Sequence, residues 1–141
     1  MPLYIEDQPN MGNVSSHAAL TGSPVNIADV YCTDNFNFSG PKNYDALTGY
    51  RTQSMLVIPM TNNDNKVIGV VQLINAKDPD SGLVTPFSEE QVGYVSCLAS
   101  QAAVALSNTQ YAFELRQHRE HLEEMITART NELAEAMQKA E

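Results

Sequence analysis

The chain of 141 residues is 43% hydrophobic and 18% charged, a balance typical of one globular domain and not of a disordered segment. Its formal charge of −9 combines 17 acidic with 8 basic residues, and the lack of a dense basic patch argues against nucleic acid as a partner. No apolar run approaches the roughly 20 residues of a membrane span, and the start lacks signal-peptide features, so we expect a cytoplasmic segment without membrane contact.

Residues 1–45 contain many turn-forming residues, with prolines and glycines separating short apolar segments such as 25–27. We predict loops around one short strand and one or two short helices. The best candidate helix covers 14–20 and is ended by Gly22, because glycine adopts the left-handed conformation at a helix end most easily.

A β-hairpin is predicted next. Residues 53–60 have the pattern of a strand, and Pro59 near its end indicates a sheet edge or the strand's exit. The polar run at 62–65 favours a tight reversal, because asparagine and aspartate tolerate positive φ. The apolar run at 66–75 should therefore return antiparallel, and its nearly unbroken apolar character predicts a strand covered on both faces.

A single helix is predicted from Ser88 to Glu141, beginning with a capping box formed by Ser88 and Gln91. About 50 helical residues would be roughly 75 Å long, so we expect the far end to project from so small a domain. Its first part has a broad apolar face suited to covering a sheet, made of Val92, Val95, Leu98, Ala99, Ala102, Ala103 and Leu106.

Beyond Tyr111 the apolar stripe narrows to a heptad pattern that predicts a coiled coil. One core position holds Leu115, Leu122, Arg129 and Ala136, and the other holds Arg119, Ile126, Leu133 and Ala140. The arginines and alanines weaken this seam, which suits a signalling helix that needs two packings of similar energy. We expect a homodimer through Leu115, Leu122, Ile126 and Leu133, with a solvated single helix as the alternative.

Four segments together resemble the GAF domains of bacterial sensor proteins and cyclic-nucleotide phosphodiesterases. They are ALTGSPVNIADVY at 19–31, TGYRTQSMLVIPM at 48–60, KVIGVVQLINAKD at 66–78 and PFSEEQVGYVSCLASQAAVALSNTQ at 86–110. The tail HREHLEEMITARTNELAEAMQKAE is similar to the linker that joins such a domain to a histidine kinase core. The resemblance implies an α+β fold, with helices packed on an antiparallel sheet and a small-molecule pocket on its other face.

The resemblance also implies the residues that contact a ligand. Asp45, Thr48 and Thr52 match positions that contact the nucleotide in cyclic-GMP-binding members, where a carboxylate and two hydroxyls suit a purine edge, ribose and phosphate. Asn75 matches the asparagine of the N-K…F…D-E signature of cyclic-nucleotide-binding members. A local role is the alternative, in which Thr48 only begins a strand and Asp45 only forms a turn.

The rest of that signature departs from the family pattern. Phe87 matches, but Ala76 replaces the lysine, and Gln91 and Val92 replace the acidic pair. The ion pair that holds the pocket shut in cyclic-nucleotide-binding members therefore cannot form. A cyclic nucleotide and another small ligand are both open as candidates, and no cofactor is indicated.

Complete members of the family begin with a helix and two central strands before the stretch that matches Gly12. These are missing here, so we expect an N-terminally truncated sensor domain over residues 1–110 and a coiled-coil signalling linker over residues 111–141. Dimerisation, an exchanged element or a neighbouring domain of the parent chain would then stabilise the incomplete core.

No catalytic constellation is visible, and the sequence lacks H-E-x-x-H, G-x-S-x-G and a phosphate-binding glycine loop. His118 and His121 lie three residues apart on the predicted helix, and we interpret them as solvated. Cys32 and Cys97 are too few for a disulfide framework and are interpreted as small buried or half-buried residues.

These patterns predict a non-catalytic regulatory module, one that senses a small molecule or dimerises, within a sensor histidine kinase. Its pocket state would be relayed through the coiled coil to an output domain of the parent chain. The alternatives are a purely structural dimerisation module and the regulatory domain of a cyclic-nucleotide or cyclic-dinucleotide enzyme.

Overall fold

The computed structural model describes residues 2–139, which divide into two units, the first ending at Val104 and the second beginning at Ala105. The elements in chain order are β1 (Tyr4–Ile5), β2 (Gln8–Pro9), α1 (Val14–Thr21), β3 (Val25–Ile27), α2 (Ser39–Thr48), β4 (Met55–Thr61), β5 (Val67–Ile74), β6 (Ala76–Lys77), β7 (Val84–Thr85) and α3 (Glu89–Gln138). The predicted α+β class with antiparallel strands and a long last helix is confirmed. Ala140 and Glu141, which the predicted helix includes, lie outside the described residues.

The central sheet has the strand order β3-β4-β5, and both pairs are antiparallel. The predicted reversal after β4 is confirmed, because the Asn62 amide donates to the Lys66 carbonyl at 3.0 Å and Asn65 has a φ of 58°. Since β3 pairs only with Met55–Val57, Pro59 lies where β4 has β5 as its one neighbouring strand. This agrees with the sheet-edge position that the proline predicts.

Two layers of side chains cover the two faces of this sheet, because successive side chains of β4 point to opposite sides. On one side α1 and the loops around β3 form a buried cluster of Val14, Ala18, Ile27, Val30, Phe38, Met55 and Val57. On the other side the first part of α3 joins Leu56, Ile58 and Ala99, with Met60, Val71, Phe87, Val92 and Val95 packed around them. The first unit is therefore a sheet between helical layers.

β5 is an edge strand, and the prediction that both of its faces are covered holds only in part: Val70 packs against the cluster around Met55, and Val71 packs against the cluster around Leu56. Within residues 2–139 it pairs with β4 alone, and Ile68, Leu73 and Ile74 are 39%, 37% and 40% exposed. An unbroken apolar run leads to a fully buried strand only where neighbouring elements cover it on all sides.

α1 begins and ends as its sequence predicts. The Asn13 side chain accepts from the amides of Ser15 and Ser16, and Gly22 ends the helix with a φ of 65°. The sequence pattern does not reveal α2, because Gly40 and Pro41 were expected to break up this region. Both lie in the first turn of α2, where the amide that proline lacks would have no partner within the helix.

α3 begins with the predicted capping box. The Ser88 amide donates to Gln91 Oε1 at 2.8 Å, and the Gln91 amide donates to Ser88 Oγ at 3.2 Å. Within the predicted sheet-covering face, Val92, Val95, Ala99 and Ala103 are half-buried or buried, whereas Leu98, Ala102 and Leu106 are exposed. The exposure of these three corrects the prediction, and its reason is that a sheet of three strands covers only a narrow stripe of the helix.

The second unit consists of the remainder of α3, and all residues from 108 to 139 are exposed. The two arginines of the predicted seam form ion pairs along the helix, Arg119 with Glu123 at 3.7 Å and Arg129 with Glu132 at 2.8 Å. Among the described residues, the apolar seam side chains Leu115, Leu122, Ile126 and Leu133 are exposed, and the homodimer stays a prediction. Within residues 2–139, no helix combines the length and apolarity that crossing a bilayer requires.

Candidate functional site

Asp45 on α2 is the one buried carboxylate among the described residues. Its Oδ2 accepts from the Thr52 amide at 2.8 Å and from the Tyr31 hydroxyl at 2.9 Å, and its Oδ1 accepts from the Thr52 hydroxyl at 2.8 Å. A buried carboxylate needs such donors to replace the water that it has lost. Asp45 thereby ties α2 to the segment before β4 and to the loop after β3.

The same hydrogen bonds set the protonation states of the cluster. Burial alone would raise the pKa of Asp45, but the donors from Thr52 and Tyr31, together with the charge of Arg51, outweigh it and lower the pKa. The pKa of Tyr31 is raised, chiefly because its hydroxyl donates to the Asp45 carboxylate. At neutral pH the cluster therefore holds an ionised carboxylate and a neutral phenol.

Thr48, predicted as a ligand contact, is the last residue of α2. Its hydroxyl donates to the Tyr44 carbonyl at 2.8 Å and accepts from the Tyr50 amide at 3.4 Å, and Gly49 follows with a φ of 71°. Both residues lie in α2, so Thr48 does not begin a strand and Asp45 does not form a turn; a purely structural role for these residues stays the alternative. Thr48 is exposed, so its hydroxyl remains accessible.

Asn75 joins the end of β5 to the segment before β4. Its Oδ1 accepts from the Gln53 amide at 2.7 Å, and its Nδ2 donates to the Arg51 carbonyl at 2.8 Å and to the Tyr50 hydroxyl at 2.9 Å. Asparagine suits this position, because it tolerates the φ of 55° and its amide supplies both donors and an acceptor.

The structure thus brings all four predicted ligand residues to one segment, residues 50–53 between α2 and β4. Asp45 and Thr52 contact each other directly, Asn75 holds the segment from the β5 side, and Thr48 reaches it through Tyr50. Their role as ligand contacts stays a prediction.

Sequence reasoning missed three residues beside this cluster. The Arg51 guanidinium carbon lies 4.4 Å from the centroid of the Tyr31 ring, and the Lys42 Nζ lies 5.2 Å from it. Both distances are within the range of cation–π contacts. A signal for Arg51 and Tyr31 was available, since they lie in the segments 48–60 and 19–31 that carry the family resemblance, whereas nothing local marks Lys42.

The residues considered for catalysis do not converge. Cys32 and Cys97 are both exposed, which corrects the prediction of burial; the sheet-facing side of α3 beside Cys97 is taken by Val95 and Ala99. His118 and His121 lie in the exposed part of α3. Across residues 2–139, no three metal-binding side chains come together.

Acid is expected to destabilise the first unit through Asp45. Because the pKa of Asp45 is lowered in the folded chain, its stabilising effect is fully present above the unfolded-state pKa of about 3.9. The effect is lost as the pH falls through the lower folded-state pKa. We expect the urea midpoint to fall between about pH 5 and about pH 2.5, and Asp45→Asn to reduce that fall.

Asp78→Asn is the matched comparison for this experiment. Hydrogen bonds from the Ser81 amide and hydroxyl lower the pKa of Asp78, so it contributes in the same direction. The double variant should therefore show a flatter pH profile than either single variant. If Asp45→Asn kept the full pH dependence of the parent chain, the Asp45 cluster would not be a source of acid sensitivity.

Comparisons with known proteins point to one family. The family model described as GAF domain matches residues 2–106. Dual 3′,5′-cyclic-AMP and -GMP phosphodiesterase 11 of Drosophila melanogaster is 35% identical over 97 residues, which make up 69% of this chain and 6% of that protein. Phosphodiesterase 11A of Takifugu rubripes, with the same dual specificity in its name, is 35% identical over 100 residues, 71% of this chain and 10% of that protein.

A solved structure supports the same fold. The GAF domain of a phosphoenolpyruvate-protein phosphotransferase from Coxiella burnetii superposes with a TM-score of 0.54 at 16% identity, over 75% of this chain and 56% of that one. At this identity the likeness concerns the fold alone. The chain spans a tenth or less of the length of the two phosphodiesterases. The family match covers most of the chain, and the chain therefore belongs to the GAF domain family, whose members are regulatory, small-molecule-sensing modules of signalling proteins.

Proposed function

We propose that this chain is the ligand-sensing regulatory module of a sensor histidine kinase and relays the state of its pocket through α3. The observation that supports the proposal is that α3 contributes both to the hydrophobic core of the first unit and to the predicted coiled-coil seam. Ala99 and Ala103 of α3 are buried in the first unit, and the same helix continues to Gln138 through the exposed heptad residues. A helix shared in this way is suited to pass a packing change to a partner domain.

The ligand is proposed to bind beside residues 50–53 and to contact Asp45, Thr48, Thr52 and Asn75. In the free chain Asp45 and Thr52 satisfy each other's hydrogen-bonding groups at 2.8 Å. A ligand that bonds to either residue must therefore compete with the hydrogen bonds that join α2 to the segment before β4. β4 follows this segment and carries Leu56 and Ile58, which pack against Ala99. A change in the hydrogen bonds between Asp45 and Thr52 would therefore alter the surface against which the first part of α3 packs.

A cyclic-nucleotide phosphodiesterase is the second candidate for the parent protein. The 35% identity to two phosphodiesterases favours it, whereas the heptad pattern after Tyr111 favours the kinase. The full-length parent would distinguish the two, since a kinase labels itself from ATP and a phosphodiesterase hydrolyses a cyclic nucleotide.

Thermal unfolding with cyclic GMP, cyclic AMP and a metabolite panel tests the sensing proposal. A ligand present at about a hundred times its Kd should add about 2.7 kcal/mol to the free energy of unfolding. Thr52→Val should weaken that ligand at least about tenfold, because the variant removes a buried hydroxyl. Asp34→Asn, an exposed carboxylate outside the cluster, is the control and should leave the affinity unchanged.

A chain that dimerises but is stabilised by none of these compounds would contradict the sensing proposal. That result would support the alternative of a purely structural dimerisation module, in which only α3 matters.

A further inference from the structure

Cations are scarce in the first unit, and half of them lie over one aromatic ring. Residues 2–104 contain ten acidic residues and only four basic ones, which are Lys42, Arg51, Lys66 and Lys77. Lys42 comes from α2 and Arg51 from the segment before β4, and their charged groups lie 5.2 Å and 4.4 Å from the centroid of the Tyr31 ring. The unit has a net negative charge, but two of its four basic side chains lie beside the Tyr31 ring.

The charged ends of these two side chains have no polar partner in the described chain. Across residues 2–139, neither the Lys42 ammonium nor the Arg51 guanidinium donates a hydrogen bond or forms an ion pair within 4 Å. Their donors are therefore available to a ligand, and a guanidinium offers two parallel N–H groups to an oxyanion. Arg51 and Tyr31 are exposed and Lys42 is half-buried, so the group is open to solvent.

The two carboxylates near this ring, Asp29 and Asp45, accept hydrogen bonds from groups other than Lys42 and Arg51. Asp45 is held by Thr52 and Tyr31, and an Asp29 oxygen accepts from the Tyr31 amide at 2.8 Å. Both carboxylates reduce the local positive potential, and the pKa of Asp45 is lowered in part by Arg51. Within residues 2–139 neither carboxylate forms an ion pair with Lys42 or Arg51 within 4 Å, so neither neutralises these cations by direct pairing.

We propose that Lys42 and Arg51 form an oxyanion subsite over Tyr31, so that the ligand of this domain carries a phosphate or carboxylate group. This inference rests on the proposed sensing function, because the subsite adjoins the cluster around Asp45. Tyr31 connects the two, since its hydroxyl bonds to Asp45 and its ring carries the cations. The neutral part of the ligand contacts Asp45 and Thr52 while its anionic group contacts the cations beside the Tyr31 ring.

Calorimetric titrations of the full chain test this inference with matched ligands. The probes are cyclic GMP and cyclic AMP, their neutral nucleosides guanosine and adenosine, and the bare anions pyrophosphate and malonate. We expect charged probes to bind at least about tenfold more tightly than neutral ones, with an affinity that falls as salt rises. The stronger of the two bare anions identifies the group as phosphate or carboxylate.

The variants Lys42→Gln and Arg51→Gln should each weaken the charged probes about tenfold. Lys66→Gln and Lys77→Gln remove the other two cations of the unit and should change the affinity less than about twofold. Arg51→Lys keeps the positive charge and should retain part of the binding that Arg51→Gln loses. This comparison distinguishes loss of the charge from a disturbed fold in Arg51→Gln.

The outcomes separate the inference from the function on which it rests. Equal affinity for a nucleotide and its nucleoside overturns the subsite and leaves the sensing function intact. Equal effects of all four lysine and arginine variants overturn the subsite as well, because they indicate a general charge effect. Failure of both bare anions and both nucleotides to bind at about 10 mM also overturns the subsite, since a Kd above that concentration corresponds to a binding free energy weaker than about 3 kcal/mol.

Discussion

Leu56→Ala is expected to lower the free energy of unfolding of the first unit by about 3 kcal/mol, within the range for a fully buried leucine. Leu56 is 0% exposed on β4, where it lies opposite Leu73 and packs with Ile58 and Ala99. Truncation leaves a cavity in the layer between the sheet and α3. Small domains have only about 5–15 kcal/mol of stability, so the variant should lose about a fifth to a half of the stability of the unit, or slightly more.

The measurement should follow the first unit and not the helix content, which α3 dominates. The chain has six tyrosines and no tryptophan, and five of the tyrosines precede Val104. Urea titrations followed by tyrosine fluorescence therefore report on the first unit. Leu73→Ala is the control, because its side chain is 37% exposed on the edge strand, and it should cost less than half as much. Equal costs for the two variants would mean that the layer beneath α3 is not the centre of the core.

Ile126→Asp is expected to abolish the predicted homodimer of α3. Ile126 occupies the seam in the heptad pattern and is exposed in the single chain. In a dimer the substitution would place two carboxylates close together in an apolar seam, which costs several kcal/mol. The dimer Kd should rise by at least about a hundredfold, measured by sedimentation equilibrium.

Asn131→Asp is the matched control, since it adds the same charge outside the seam and should change the Kd less than about threefold. Arg129→Leu should act in the opposite direction and tighten the dimer, because it replaces a seam cation by an apolar side chain. Its loss of the exposed Glu132 ion pair is a small cost. A chain that stays monomeric up to millimolar concentration would support the solvated single helix and remove the route by which α3 relays a signal.

Sequence patterns predicted the elements whose signals are local. Asn13 and Gly22 bracket α1, and Ser88 with Gln91 starts α3, because a helix cap depends only on residues within a turn of it. The reversal at 62–65 follows from asparagine and its tolerance of positive φ. The family resemblance added the segment 48–60, which contains two of the four predicted ligand residues.

The candidate site was only half predictable. Asp45, Thr52 and Asn75 came from the resemblance, but their bonds to one another and to Arg51 join segments that no local rule relates. Tyr31 precedes Thr52 by about twenty residues, and nothing in its own surroundings indicates that it bonds to Asp45. Such contacts depend on how β3, α2 and β4 pack together.

The sequence by itself determined the helix caps, the central hairpin and the heptad pattern, since each follows from residues close together in the chain, and the family resemblance implied the fold class. Tertiary structure alone decided that β5 is an edge strand, that Leu98 and Leu106 stay exposed, and that Lys42 and Arg51 meet over Tyr31. The physical reason is that burial and charge clustering depend on which distant segments become neighbours. The sequence position of an apolar or basic side chain does not show which other side chains will pack against it.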